Sequence, residues 1–198
     1  MFSKIATVAA LVAPIASAVV IPRNTSLPTQ FNIIPTVITA DDPTSFDGEY
    51  LTYFHVGADV ATLVTTTNQS EALVFYVDQN TTYLESFIST GIPPASLNLE
   101  NEEPYLSDAP DGYNYISFND GTDDATPGFT VTPDPPYSDV YVTYDNSNAD
   151  FNGWAVCHVN GTNPDFGLGP QTQLLWKTQE AASNYAECAD VLLRVVSA

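Results

Sequence analysis

The feature that most limits what this chain can fold into is its punctuation. Short runs rich in Val, Ile, Thr, Tyr and Phe recur along most of its length, each cut off by Gly, Pro, Asn or Asp. β-Branched and aromatic side chains suit a pleated, half-buried surface, and the interrupting residues supply turns. Candidate strands fall at residues 30–34, 36–39, 49–56, 61–66, 72–77, 82–88, 113–118, 129–132, 139–144, 153–159, 173–177 and 191–196. Turn chemistry lies between them in Phe46-Asp47-Gly48, Asp111-Gly112, Asn119-Asp120-Gly121, Pro133-Asp134-Pro135-Pro136 and Asn160-Gly161. This spacing predicts one all-β unit, an antiparallel β-sandwich or closed barrel of about 10–12 short strands, with a β-trefoil-like arrangement as the alternative.

Helix signals are scarce, and one short helix over residues 178–187 is the most that Ala181, Ala182 and Ala186 allow. Residues 91–110, rich in Pro, Asn and Glu, read as a long surface excursion. The runs 72–77 and 191–196 are apolar on both parities apart from Arg194, which predicts strands covered on both faces.

The first residues read as a secretory signal peptide over 1–18. Lys4 supplies a basic start, Ile5 to Ile15 is apolar, and Ala16-Ser17-Ala18 offers the small residues a signal peptidase requires. The apolar run is far short of the roughly 20 residues that span a bilayer as a helix. Cleavage after Ala18 is expected, followed by a flexible N-terminus over 19–29 and a single domain over 30–198. The expected location is extracellular, in the medium or at a cell wall.

Charge narrows the partners. Asp and Glu number 24 against 4 Lys and Arg, a formal net charge of −20. Nucleic acid and anionic membranes are excluded as partners, because phosphate binding needs clustered cations. Cell-wall polysaccharide or a host protein fits better, and the chain is expected to be a monomer. In an oxidising compartment Cys157 and Cys188 are expected to form a disulfide, closing a loop of about 32 residues. Four sequons make Asn24, Asn68, Asn80 and Asn160 candidate glycosylation sites, with Asn80 and Asn160 in turn-like stretches.

No catalytic, cofactor-binding or metal-binding set emerges, and no cofactor is expected. The two histidines, His55 and His158, sit in strand patterns among aromatics, where packing is the ordinary role. Neither G-x-S-x-G nor H-E-x-x-H occurs. Paired carboxylates remain the one enzymatic chemistry that composition allows, as in a glycosidase, and a carbohydrate-active enzyme is the alternative reading. Asn119-Asp120-Gly121-Thr122-Asp123-Asp124 is the densest oxygen-ligand run, with Asp41, Asp42 and Asp47 forming a weaker one. Neither has the spacing of a calcium loop. Trp154 and Trp176 alternate with aliphatics and read as core, whereas Tyr105, Tyr113 and Tyr137 lie next to loops and read as exposed.

The run Gly153-Trp154-Ala155-Val156-Cys157-His158, then Gln173-Leu174-Leu175-Trp176, then Glu187-Cys188-Ala189-Asp190-Val191-Leu192-Leu193 resembles small secreted fungal proteins labelled IgE-binding protein. His55, Gly57 and Ala58 match a second segment of that family, and Asp59 departs from it. The cysteine-strand pattern also resembles C-terminal domains of fungal cell-wall proteins. The resemblance implies a fungal extracellular β-domain with no assigned reaction and no catalytic residues. A host-directed effector is a third reading.

Overall fold

Alternation along one strand shows how the sheet sorts its faces. In β11 (Phe151–Asn160), Trp154 and Val156 join the main hydrophobic core, while Ala155, Cys157 and Val159 join a second cluster on the opposite face. That is the period-two rule for a pleated strand covered on both sides. The structure is a computed structural model that describes residues 27–38, 46, 48–57, 60–87, 94–99, 111–120, 125–134, 139–145, 150–160, 170–179 and 187–198.

The described strands are β1 (Phe31–Val37), β2 (Tyr50–Gly57), β3 (Val60–Thr66), β4 (Phe75–Val77), β5 (Leu84–Ser86), β6 (Ala95–Asn98) and β7 (Tyr113–Tyr115). Then come β8 (Ser117–Asp120), β9 (Phe129–Pro133), β10 (Val140–Tyr144), β11, β12 (Pro170–Thr178) and β13 (Cys188–Ser197). Every pairing is antiparallel. Nine strands close a barrel in the order β1-β4-β5-β6-β8-β3-β12-β11-β13, and β13 pairs back onto β1. The other four attach outside the ring: β2 on β3, β7 on β12, β10 on β13 and β9 on β10.

Closure rests on β13. One edge pairs with β1 over seven residues, from Phe31↔Ser197 to Val37↔Val191. The other edge serves β11 through residues 188–191 and then β10 at Leu193 and Arg194. Cys157 and Cys188 face each other directly in the β11–β13 register, with Cα atoms 4.0 Å apart, and form a disulfide.

The barrel interior is filled. Phe31, Ile33, Leu63, Phe75, Leu84, Leu97, Phe118, Trp154, Val156, Leu174, Trp176 and Leu193 all belong to one buried cluster. Burying each large apolar side chain contributes on the order of 1.5–3 kcal/mol, so this packing is the main source of stability. Aromatic rings link the lower core: Phe129 to Tyr144 at 5.2 Å, Tyr144 to Phe151 at 4.9 Å and Phe151 to Trp154 at 4.8 Å.

Several expectations need correction. The described residues hold thirteen strands, where about 10–12 were expected. The two strands expected at 30–34 and 36–39 are one strand, Phe31–Val37, running through Pro35, because β4 reaches β1 at Phe31 alone and leaves that edge without need of a further N–H, and residue 39 lies outside the described residues. Within the expected excursion 91–110, residues 95–98 are strand β6, with Ala95 and Leu97 in the core. The one helical turn described is a 3-10 turn at Gln69–Glu71. Thr178 ends β12, and residues 180–186 lie outside the described set. Leu192 is 42% exposed and Val74 is 36% exposed, so runs apolar on both parities are not uniformly covered.

A Cys157→Ala/Cys188→Ala double variant should lose about 3–4 kcal/mol of unfolding free energy, as expected when a cross-link of this span no longer constrains the unfolded chain. Urea unfolding checks this; an unchanged midpoint would contradict it.

Candidate functional site

At one end of the barrel, the start of β1, the β4–β5 turn and the start of β9 enclose a cleft of about 540 Å³. Its floor is apolar: Phe31 and Phe129 are 1% and 0% exposed, and Val77 and Val131 pack against the same core. Asp78, Gln79, Thr82 and Thr130 supply the polar rim, and Leu27, Pro28 and Thr29 form a wall where the described chain enters.

The β4–β5 turn is held by its own side chains. Asp78 Oδ1 accepts from the backbone N–H of Asn80 at 2.7 Å and of Thr81 at 3.0 Å. Thr82 has a left-handed backbone, φ 59°, uncommon for a β-branched residue. Bonds to the next strand fix it there. The Thr82 hydroxyl accepts from Gly128 N–H at 2.8 Å, and its carbonyl accepts from Phe129 N–H at 2.9 Å. Gly128 has φ +106°, and a Cβ there would collide with the Asp145 carboxylate, so only glycine fits.

These bonds decide the chemistry of the rim. The backbone N–H groups of Thr81 and Asn80 hold the Asp78 carboxyl below its ordinary range, against a smaller opposing effect of burial. A carboxyl kept ionised is a poor proton donor. Among the described residues that line the cleft, Asp78 is the single carboxylate. On the outer side of β9 and β10, the Thr143 hydroxyl bonds Thr130 at 2.8 Å and Thr132 at 3.1 Å.

The residues singled out in the sequence are dispersed. His55 is exposed on β2 opposite Ala61, while His158 lies opposite Thr172 in the β11–β12 pair. His158 Nδ1 is 3.0 Å from the Thr172 hydroxyl, and its ring packs on Phe46 at 4.7 Å. Trp154 and Trp176 are core. Tyr113 was expected at the surface but is 5% exposed within the second cluster, where burial and then the Asp190 charge raise its hydroxyl pKa. Asn119 and Asp120 end strand β8. Residues 121–124, with Asp41, Asp42, Asp47, Tyr105, Tyr137 and Asn24, lie outside the described residues. Among the described residues no three His, Cys, Asp or Glu gather to hold a metal ion.

Asn68 and Asn80 are exposed. Asn68 caps the 3-10 turn, its Oδ1 accepting from Ser70 N–H at 3.1 Å and from the Ser70 hydroxyl at 2.8 Å. Asn160 is the last residue of β11 and not part of a turn.

Two features had no clear signal in the sequence. Lys177 on β12 reaches past Gly153 in the bulge of β11 to pair with Asp190 on β13 at 2.5 Å. Asn98, Ser117 and Thr62 form a buried polar row across β6, β8 and β3, where the Ser117 and Thr62 hydroxyls have no hydrogen-bond partner.

A family described as a domain of unknown function (DUF7907) matches residues 28–197. No curated protein and no solved structure matches the chain.

Because the folded pKa of Asp78 is depressed, its contribution to stability is present above the ordinary value of 3.8 and is lost as pH falls through the folded value. In an NMR titration the Asp78 carboxyl should inflect below 3.8, with the amides of Asn80 and Thr81 reporting the same step. An inflection at or above that value would contradict the capping role.

Proposed function

The chain belongs to this family of domains of unknown function, and we propose from its own chemistry that it is a secreted, non-catalytic fungal glycoprotein, extracellular or wall-associated and host-interacting. The observation that carries this reading is the Cys157–Cys188 disulfide, placed in register across the barrel wall. Such a bond persists in oxidising compartments and is rare in reducing ones. The leading segment over residues 1–18 and the exposed sequon residues Asn68 and Asn80 support the same compartment.

The non-catalytic part draws on the cleft. The one carboxylate among its described lining residues is engaged by backbone N–H groups, whereas glycoside hydrolysis requires two carboxyl groups facing a sugar. The resemblance to IgE-binding-labelled proteins supports recognition by a host protein, and the wall-protein likeness supports contact with polysaccharide.

Expression through a eukaryotic secretory pathway tests the reading. The intact mass should correspond to a chain starting at Val19, with added hexose-rich mass that an N-glycosidase removes, and no titratable thiol. A product starting at Met1, or one with two free thiols, would sink it. Sedimentation with insoluble chitin or glucan separates the wall version from a freely secreted one.

A further inference from the structure

With the barrel interior filled, one described cleft lies at a barrel mouth beside the core. We propose that the cleft between the start of β1, the β4–β5 turn and β9 binds a small cationic amphiphile, with its apolar body on Leu27, Val77 and Val131 and its protonated amine at the Asp78 carboxylate. The inference does not depend on the protein being secreted or glycosylated.

Size comes first. Ligand pockets typically enclose about 300–1,000 Å³ and favour barrel mouths, and this cleft has about 540 Å³. Val77 and Val131, partly buried against the core, and the exposed Leu27 give an alkyl or aromatic body apolar surface on which to shed water.

The rim then selects the head group. Most of its polar atoms are already committed. The Thr82 hydroxyl donates to the Thr81 carbonyl and accepts from Gly128, and the Thr130 hydroxyl bonds Thr143. The Gln79 carboxamide donates to the Val77 carbonyl at 3.4 Å. Asp78 differs. A carboxylate offers about four acceptor positions; the Asn80 and Thr81 backbone bonds both fall on Oδ1 and the Thr81 hydroxyl also donates to the carboxyl, which leaves capacity for a further donor. Those bonds also keep the carboxyl ionised at neutral pH. The rim therefore presents a fixed anion beside an apolar floor, on a chain whose net charge of −20 repels anionic ligands. A fatty acid would set two carboxylates against each other, and a neutral alcohol would forgo the charge-assisted bond.

The neutral dye N-phenyl-1-naphthylamine, displaced by decylamine, decanol or decanoate at pH 7, tests the proposal on the full secreted protein. Decylamine is protonated and decanoate ionised at that pH. One ion pair near a protein surface can supply a tenfold preference, so decylamine should displace the dye at least about tenfold more tightly than decanoate. Asp78→Asn keeps an acceptor oxygen for the turn and removes the charge, so the amine's advantage should collapse. Asp111→Asn, in an exposed turn that does not line the cleft, should leave it intact. Amide shifts in the wild type, which need no variant to fold, should be largest at residues 78–82 and 129–131. The proposal is overturned by dye uptake that never saturates, by an amine preference that survives Asp78→Asn, or by shifts centred away from those residues.

Discussion

Pairing between β1 and β13 joins the two ends of the described chain, and the rest of the architecture depends on it. Seven consecutive residues of each strand lie in register, so the sheet that begins at Phe31 ends beside it at Ser197. An open sheet of this size would leave two long edges with unpaired N–H and C=O groups. Closure removes both and forces the inward residues of nine strands into one cluster. β13 also anchors β11 and β10 along its other edge and carries half of the disulfide. Loss of its position would open the ring, strip β10 and β9 from the wall and expose the core together.

A filled interior has a functional consequence. The barrel cannot hold a ligand along its axis, because aromatic and aliphatic side chains occupy that space. Recognition is left to the outer wall and the mouth. On the outer wall, Lys177 is locked to Asp190, and Arg194 lies close enough to Tyr141 to act on its charge. Of these two described cations, Lys177 is tied to its partner, whereas the Arg194 Nε is buried without a hydrogen-bond partner, and the acidic excess dominates elsewhere. At the described mouth this acidity, in Asp78, lies beside the partly exposed Val77 and Val131.

Much of the strand pattern was legible in the sequence. Runs such as Tyr50 to Val56 and Trp154 to Val159 are dense enough in β-branched and aromatic residues to stand out, and Gly, Asp or Asn marks their ends. Strand β6 was missed because Ala95, Leu97 and Leu99 give too short an alternation inside a Pro- and Asn-rich stretch. Pro35 misled for a different reason: its cost depends on whether a neighbour needs its N–H, which is a property of the sheet and not of the strand. The cross-strand disulfide followed from the compartment argument, but the directly opposed register did not. The cleft had no local signature, since its floor comes from β1, β4 and β9, distant in sequence and joined only by closure. Asp78 looked like one of many turn aspartates, and its position beside Phe31 and Phe129 is a tertiary fact.

Native-state hydrogen exchange of the disulfide-intact protein tests barrel closure most directly. If β13 closes the ring, its amides and those of β1 exchange only with global unfolding, as slowly as the central β11 and β12 amides and with the same denaturant dependence. Fast, denaturant-independent exchange along β1 or residues 191–197, with β11 and β12 still protected, would mean an open sheet with a frayed edge and would contradict the account.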